Sequence, residues 1–146
     1  MKKLLIATLL LMVVTATAFA AGNAKVEAIF KIAYPGATHV HFKTVGELVS
    51  VSFDYEAHHM QAFYDAEGEQ VAVSKHIDFN SLPMRGQATI KAKYPTHTTV
   101  EIIEMESQEE GVCFYVALLD GVEKTILRVS SSGREVTFFK KETMKK

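Results

Sequence analysis

The amino-acid sequence predicts an α+β protein of two tandem units, residues 21–79 and 80–146, preceded by a cleaved signal peptide at residues 1–20. In each unit we expect one helix packed on a four-stranded antiparallel sheet. Three observations predict this fold class. They are a targeting pattern at the N-terminus, a twofold succession of one amphipathic helix and four alternating strands, and matching positions in the two halves.

The N-terminal segment has the features of a signal peptide. Lys2 and Lys3 precede an apolar run over residues 4–14, and residues 18–20 form the small-residue pattern Ala-Phe-Ala. A membrane-spanning helix needs about 20 apolar residues, and threonines interrupt this run. We therefore expect cleavage after Ala20, a periplasmic or secreted location, and no stable membrane insertion of the mature chain.

One amphipathic helix opens the first predicted unit. Asn23 is a good N-cap residue. Val26, Ile29 and Phe30 form one apolar stripe at helical spacing. The Tyr-Pro-Gly segment at residues 34–36 ends the helix, because proline lacks an amide hydrogen and glycine accepts positive φ. Four alternating runs follow and predict strands at residues 38–43, 49–54, 58–64 and 70–77.

The same succession starts again at Ser81. This residue can cap a second helix, which ends at Tyr94-Pro95, sixty positions after Tyr34-Pro35. A shift of sixty-five residues aligns the strand patterns of the two halves and sets Gly68 on Gly133. Alternation is preserved in both halves under this shift, which chance would not readily produce. The sequence therefore predicts an internal duplication.

The turn motifs resemble those of the PepSY-like, beta-lactamase-inhibitor-like proteins. The motifs that carry the resemblance are Tyr34–Ala37, Tyr64–Gly68, Leu82-Pro83 and Tyr94-Pro95. The resemblance covers nearly the whole mature chain. It implies a tandem of helix-and-four-strand units in a secreted or periplasmic protein, with peptidase inhibition or beta-lactamase binding as the associated activities.

The resemblance also implies a partner-binding hairpin. In the beta-lactamase inhibitor, the hairpin between the second and third strands carries an acidic residue and a tyrosine into the enzyme's pocket. Asp54 and Tyr55 stand at the corresponding hairpin here, although turns also hold such residues for local reasons. The chain departs from the inhibitor in having one cysteine, Cys113, and therefore no internal disulfide. This departure bears on shared activity more than on shared architecture.

Composition and motif content exclude several functional classes. The formal net charge is −1, and it becomes −3 without the charges of Lys2 and Lys3. A nucleic-acid-binding protein normally carries a strongly basic face, so nucleic acid is excluded as a partner. No nucleophile-elbow motif, zinc-protease motif or phosphate-binding glycine loop is present. The sequence therefore predicts a non-enzymatic protein without a cofactor.

Two sets of side chains are candidates for a binding surface. His39 and His41 alternate outward on the first strand, and hairpin register brings His59 to the same face, where three imidazoles could hold one metal ion. Solvated surface histidines are the alternative. Phe63 and Tyr115 also alternate outward and predict aromatic anchors for a partner, with packing between the two units as the alternative.

From the sequence we expect an exported, non-enzymatic binding protein. Its partner would be a protein or peptide, such as an envelope or secreted hydrolase, held by the Asp54-Tyr55 hairpin and the outward aromatic residues. The alternative function is a metal-binding or metal-responsive periplasmic protein that uses the three outward histidines. Both hypotheses require that each helix covers one face of its sheet and leaves the reverse face accessible.

Overall fold

The computed structural model describes residues 24–145, and the predicted signal peptide lies outside the described residues. The described chain has two α-helices and eight β-strands. The helices are α1 (Ala24–Ala33) and α2 (Met84–Lys93), and the strands are β1 (Thr38–Val45), β2 (Leu48–Tyr55), β3 (His58–Tyr64), β4 (Gln70–His76), β5 (Thr98–Ser107), β6 (Gly111–Asp120), β7 (Glu123–Ser130) and β8 (Val136–Thr143). A short 3-10 turn over Phe79–Ser81 precedes α2. None of the helices in this part of the chain is long and apolar enough to cross a membrane.

The eight strands form one antiparallel sheet in the order β1 to β8. The predicted α+β fold of two tandem units with separate four-stranded sheets is therefore wrong, and the architecture is mostly β with two short helices. Beside β4, the amide of Ile77 donates to the carbonyl of Ile102 in β5 at 3.0 Å. Alternation reports which face of a strand is buried, and it carries no information on where strand pairing stops.

The described chain packs as two compact units. The first compact unit comprises residues 24–73 and 107–109, and the second comprises residues 74–106 and 110–145. The division therefore falls inside β4, whereas the sequence predicts a boundary between residues 79 and 80. Each compact unit contains a hydrophobic core built around one of the two helices.

The helix α1 ends at the Tyr-Pro-Gly segment. The amide of Tyr34 donates to the carbonyl of Phe30 at 2.9 Å, and Gly36 then takes a φ of 83°. Residues with a side chain rarely adopt that conformation, so glycine lets the chain turn into β1. On the exposed side of α1, Lys31 pairs with Glu27 at 2.7 Å. Such a pair contributes roughly 0.2–0.5 kcal/mol, so burial of the apolar stripe holds the helix in place.

The core of the first compact unit lies between α1 and the inner faces of β2 and β3. It consists of Val26, Phe30, Val51, Phe53, Ala62 and Tyr64. The core residues of β2 and β3 follow the predicted alternation, because every second side chain of a strand points to the same face. The rings of Phe30 and Phe53 meet edge to face with centroids 4.8 Å apart. Aromatic packing of this kind fixes the position of α1 on the sheet.

The second compact unit packs α2 closely against the turn between β7 and β8. Its core consists of Leu82, Ile90, Ile102, Phe114, Val116, Leu118, Leu127 and Val129. Gly133 in the turn has a φ of 71°. A Cβ atom at Gly133 would lie 2.8 Å from the backbone nitrogen of Gly86 and 2.7 Å from the Cβ of Pro83. Only glycine satisfies both the conformation and the available space at this turn.

Parts of the strand faces turned away from the two cores are covered. The reverse-face residues of β6 and β7 include Cys113, Tyr115, Ala117 and Ile126, and none of them is more than 5 % exposed. On the reverse face of the first compact unit, Phe63 and Ser50 form a register pair and both are buried. The expectation that each sheet leaves its reverse face accessible is therefore wrong for these residues of β6 and β7 and for the Ser50–Phe63 pair. Residues 112–119 of β6 are apolar throughout, a pattern typical of strands buried on both faces.

Candidate functional site

The β2–β3 hairpin closes with a two-residue loop that holds backbone strain. Tyr55 pairs with His58, and the two residues between them, Glu56 and Ala57, have φ values of 49° and 64°. Two consecutive positive φ values are the pattern of a type I′ turn, which normally uses Asn-Gly, Asp-Gly or Gly-Gly. Left-handed conformation raises the energy of a residue with a side chain by roughly 1–2 kcal/mol. Both loop residues are exposed, so the strain lies at the surface.

A β-bulge places a third strained residue beside this hairpin. The β1–β2 register shifts between Thr38, which pairs with Asp54, and His41, which pairs with Ser52. His39 lies in this bulge with a φ of 50°. Bulges re-aim side chains and are frequent next to functional sites. In the described chain the non-glycine residues with positive φ are His39, Glu56 and Ala57.

The carboxylate of Asp54 accepts hydrogen bonds from two histidines. The Nδ1 atom of His59 lies 2.8 Å from Oδ1, and the Nδ1 atom of His39 lies 2.9 Å from Oδ2. We call His39, Asp54 and His59 the acid–histidine cluster. The hydrogen bond from His59 does most to lower the pKa of Asp54, desolvation opposes it, and the hydrogen bond from His39 lowers it further. The cluster therefore presents an ionised carboxylate, 43 % exposed, in a fixed orientation.

His41 belongs to the next β1–β2 pair after the one that contains Asp54. It stands opposite Ser52 across β1 and β2. Among residues 24–145, no three His, Cys, Asp or Glu side chains are arranged to hold a metal ion. The structure brings His39 and His59 together through Asp54, and metal binding by His39, His41 and His59 stays a prediction.

Tyr55 projects from the hairpin on the side opposite to Asp54. Neighbouring residues of a strand point to opposite faces. The ring of Tyr55 meets the ring of Tyr34 edge to face at a centroid distance of 5.5 Å, and Tyr55 packs on the border of the first core. Asp54 and Tyr55 therefore do not offer their side chains to a partner on one common face.

Phe63 and Tyr115 are not exposed aromatic anchors. Phe63 is fully buried, and Tyr115 is 5 % exposed, with its ring centroid 5.1 Å from that of Phe139. Burial raises the pKa of Tyr115 to about 12 and also raises the pKa of the Cys113 thiol. The predicted exposure of both aromatic residues is wrong, because outward alternation identifies the reverse face of the sheet and that face is covered here.

Local residue patterns in the sequence indicate two structural features weakly or not at all. The strained loop at Glu56 and Ala57 is visible in the sequence only as a two-residue gap, without glycine, between two alternating runs. The second feature is a groove of about 400 Å³ in the second compact unit, lined by side chains from β4 to β7, by Ile77 after β4 and by Met144 after β8. Because these side chains are distant in sequence, no local motif indicates the groove.

Solved structures with the same architecture identify the fold. A BLIP-like protein from Bacteroides fragilis matches with a TM-score of 0.70 at 16 % identity, over 86 % of this chain and 89 % of that chain. A DUF2874 family protein from Bacteroides uniformis matches with a TM-score of 0.73 at 13 % identity, over 84 % and 90 % of the two chains. A protein from Bacteroides eggerthii, described as a candidate periplasmic protein, matches with a TM-score of 0.75 at 10 % identity, over 85 % and 90 %. The fold is BLIP-like, that is, beta-lactamase-inhibitor-like, as the sequence resemblance predicts.

These likenesses establish architecture alone, because the identities are low. No protein-family model matches the chain. No curated protein matches it either. Membership of the PepSY family therefore stays a prediction.

Proposed function

We propose that the chain is an exported binding protein that holds an envelope or secreted hydrolase with the tip of the β2–β3 hairpin and the acid–histidine cluster. The observation that carries this proposal is the strained loop at Glu56 and Ala57, directly beside the Asp54 carboxylate. Strained backbone persists only where the surrounding structure enforces it, and it is concentrated at binding and active sites. The proposal includes a periplasmic or secreted location, no enzymatic activity and no cofactor.

The hairpin tip has the properties of an element that enters a pocket. Glu56, Ala57 and His58 are exposed, and the β2–β3 register runs without interruption up to the loop. A loop that is ordered before binding loses little conformational entropy in the complex, which favours affinity. Asp54 adds an ionised acceptor that can form charge-assisted hydrogen bonds with arginine, lysine or backbone N–H groups of a partner.

The BLIP-like architecture supports an inhibitor-like role for this hairpin. The resemblance to the beta-lactamase inhibitor implies that the corresponding hairpin inserts an acidic residue and a tyrosine into an enzyme. In this chain Tyr55 packs on the border of its own core, so the contacts with a partner come from Asp54 and the loop. This difference favours a hydrolase pocket that recognises a carboxylate over one that requires a tyrosine ring.

A binding assay with purified hydrolases tests the proposal. The purified chain is immobilised and challenged with a panel of periplasmic and secreted hydrolases that includes serine beta-lactamases and envelope peptidases. We expect at least one enzyme to bind in the micromolar range or tighter. We expect Asp54→Ala to weaken that binding about tenfold or more, because a hydrogen bond to a charged group is lost from the interface.

Two matched variants locate the interface. Glu56→Lys and Glu47→Lys each reverse one charge in a two-residue hairpin loop, the first in β2–β3 and the second in β1–β2. Glu56→Lys should weaken binding, and Glu47→Lys should leave it unchanged. Equal affinities of these two variants would contradict the proposal, as would a panel in which no hydrolase binds. Thermal unfolding of each variant confirms that the fold is retained.

A further inference from the structure

The groove in the second compact unit combines a nearly buried lysine with exposed apolar side chains. Its volume of about 400 Å³ is near the lower end of the range for small-molecule pockets. Lys124 of β7 lines it and is only 9 % exposed. The aliphatic lining includes Leu119, Val100 and Met144, and the last two are about half exposed to solvent. Apolar surface and a positive charge therefore share one concave site.

Lys124 has no carboxylate partner within the described chain. Its register partner on β8 is Glu142, but the Oε1 atom of Glu142 lies 2.6 Å from the Nζ atom of Lys140. Its register partner on β6 is the apolar Leu119. Among residues 24–145, no Asp or Glu oxygen lies within 4.0 Å of the Lys124 ammonium. Burial falls on the stem of this side chain, and the ammonium keeps access to solvent, so an anionic ligand in the groove would supply the missing partner.

The other charged groups of the groove restrict the charge of that ligand. The Nε2 atom of His76 lies 3.6 Å from the Oε1 atom of Glu101, and both residues line the groove. The carboxylate of Glu101 repels a second negative charge on a ligand bound at Lys124. A ligand with a single carboxylate therefore fits the groove better than a phosphate or a dicarboxylate.

We propose that this groove binds a small monocarboxylate with an aliphatic tail. The carboxylate pairs with Lys124, and the tail lies along Val100, Leu119 and Met144. The ion pair is a charge-assisted hydrogen bond, and the tail covers apolar surface that is otherwise exposed. The groove lies wholly in the second compact unit, so the proposal does not depend on a partner at the β2–β3 hairpin.

Titration calorimetry with octanoate and 1-octanol tests this proposal. The two probes share an aliphatic tail and differ in charge. The purified chain should bind octanoate about tenfold or more tightly than octanol, because only octanoate forms an ion pair. Lys124→Met keeps an unbranched side chain and removes the charge, so it should weaken octanoate binding about tenfold or more and leave octanol binding unchanged.

Lys141→Met is the matched control. Lys141 is an exposed lysine of β8 that pairs with Glu123 at 2.7 Å, and its replacement should leave octanoate binding unchanged. Val100→Thr changes an exposed lining residue and should weaken both probes, which keeps the test decisive if Lys124→Met does not fold. The proposal is overturned if octanoate does not bind, if Lys124→Met binds it like the original chain, or if N-acetyl-leucine, a mimic of a peptide C-terminus, binds and octanoate does not.

Discussion

The β2–β3 and β6–β7 hairpins have loops of the same length and different chemistry. The β6–β7 loop begins with Gly121 at a φ of 60°, and Val122 follows with an ordinary φ. The β2–β3 loop holds Glu56 at 49° and Ala57 at 64°. Glycine reaches positive φ without a steric penalty, whereas residues with a side chain do so against one. Short hairpins in this fold therefore do not require strain, and the strained loop is the one beside Asp54.

The reverse faces of β2 and β6 also differ, in the polarity and the exposure of their side chains. On β2 the reverse face carries Ser50, Ser52 and Asp54, and the strand ends in an exposed, ionised group. On β6 the reverse face carries Cys113 and Tyr115, which are buried. Burial of apolar side chains stabilises the fold, and an oriented carboxylate at the surface contributes less. The reverse face of β6 thus belongs to the packed interior, and the end of the reverse face of β2 is the part to which we assign binding.

Gly133→Ala should give the largest effect, because it adds a steric clash to a left-handed conformation. An added Cβ would lie 2.8 Å from the backbone nitrogen of Gly86, which cannot move without shifting α2. We expect the free energy of unfolding to fall by about 3 kcal/mol or more. Urea unfolding measures this change, and a fall below about 1 kcal/mol would mean that α2 does not pack closely on the β7–β8 turn.

Gly121→Ala should give a smaller loss, because it introduces strain without a clash. No heavy atom lies within 4 Å of a Cβ placed at this position. The unfolding free energy should therefore fall by about 1–2 kcal/mol, which is the conformational contribution alone. Unchanged stability in the same urea experiment would contradict the strain that we assign to the positive φ values of Glu56 and Ala57.

Ala57→Gly should stabilise the chain by about 0.5–1 kcal/mol. Relief of the left-handed strain exceeds the extra entropy that glycine gives to the unfolded chain. Ala66→Gly is the matched control, because Ala66 is an exposed turn residue without a positive φ. The control should lose stability, and a loss in both variants would contradict the strained-loop interpretation.

Asp54→Asn should have the smallest effect on stability, and that effect should depend on pH. The pKa of Asp54 is lowered in the folded state from its ordinary value of 3.8, so its contribution is present above pH 3.8 and is lost as the pH falls through the lowered value. Unfolding of the original chain and the variant is compared from neutral pH to pH 2. If the difference in unfolding free energy between the two proteins stays constant over this range, the two hydrogen bonds to His39 and His59 are not the cause of that difference.

Much of the local structure is predictable from the sequence. The β2 and β3 strands and the C-terminal ends of both helices lie where hydrophobic spacing and turn residues place them, because these signals are local. The predicted N-cap role of Ser81 is wrong, because Ser81 ends the 3-10 turn and α2 begins at Met84, after Pro83. The single sheet is not predictable from the same signals, since pairing of β4 with β5 depends on backbone hydrogen bonds that alternation does not encode. The burial of the reverse face of β6 is encoded in its unbroken apolar run over residues 112–119.

The candidate site is predictable only in part. Alternation and register place His59 and Asp54 on one face, and they form a register pair in the structure. The approach of His39 depends on the bulge in β1, which no residue pattern indicates. Lys124 is likewise an ordinary polar position in the sequence of β7, and its burial results from contacts with distant strands.

Amide NMR of the ¹⁵N-labelled chain, titrated with a hydrolase that binds it, tests the role of the β2–β3 hairpin most directly. We expect the largest chemical-shift changes at residues 54–59 and at His39, with little change at the loops of residues 46–47 and 121–122. Large changes at residues 121–122 with none at residues 54–59 would contradict a binding role for the strained hairpin.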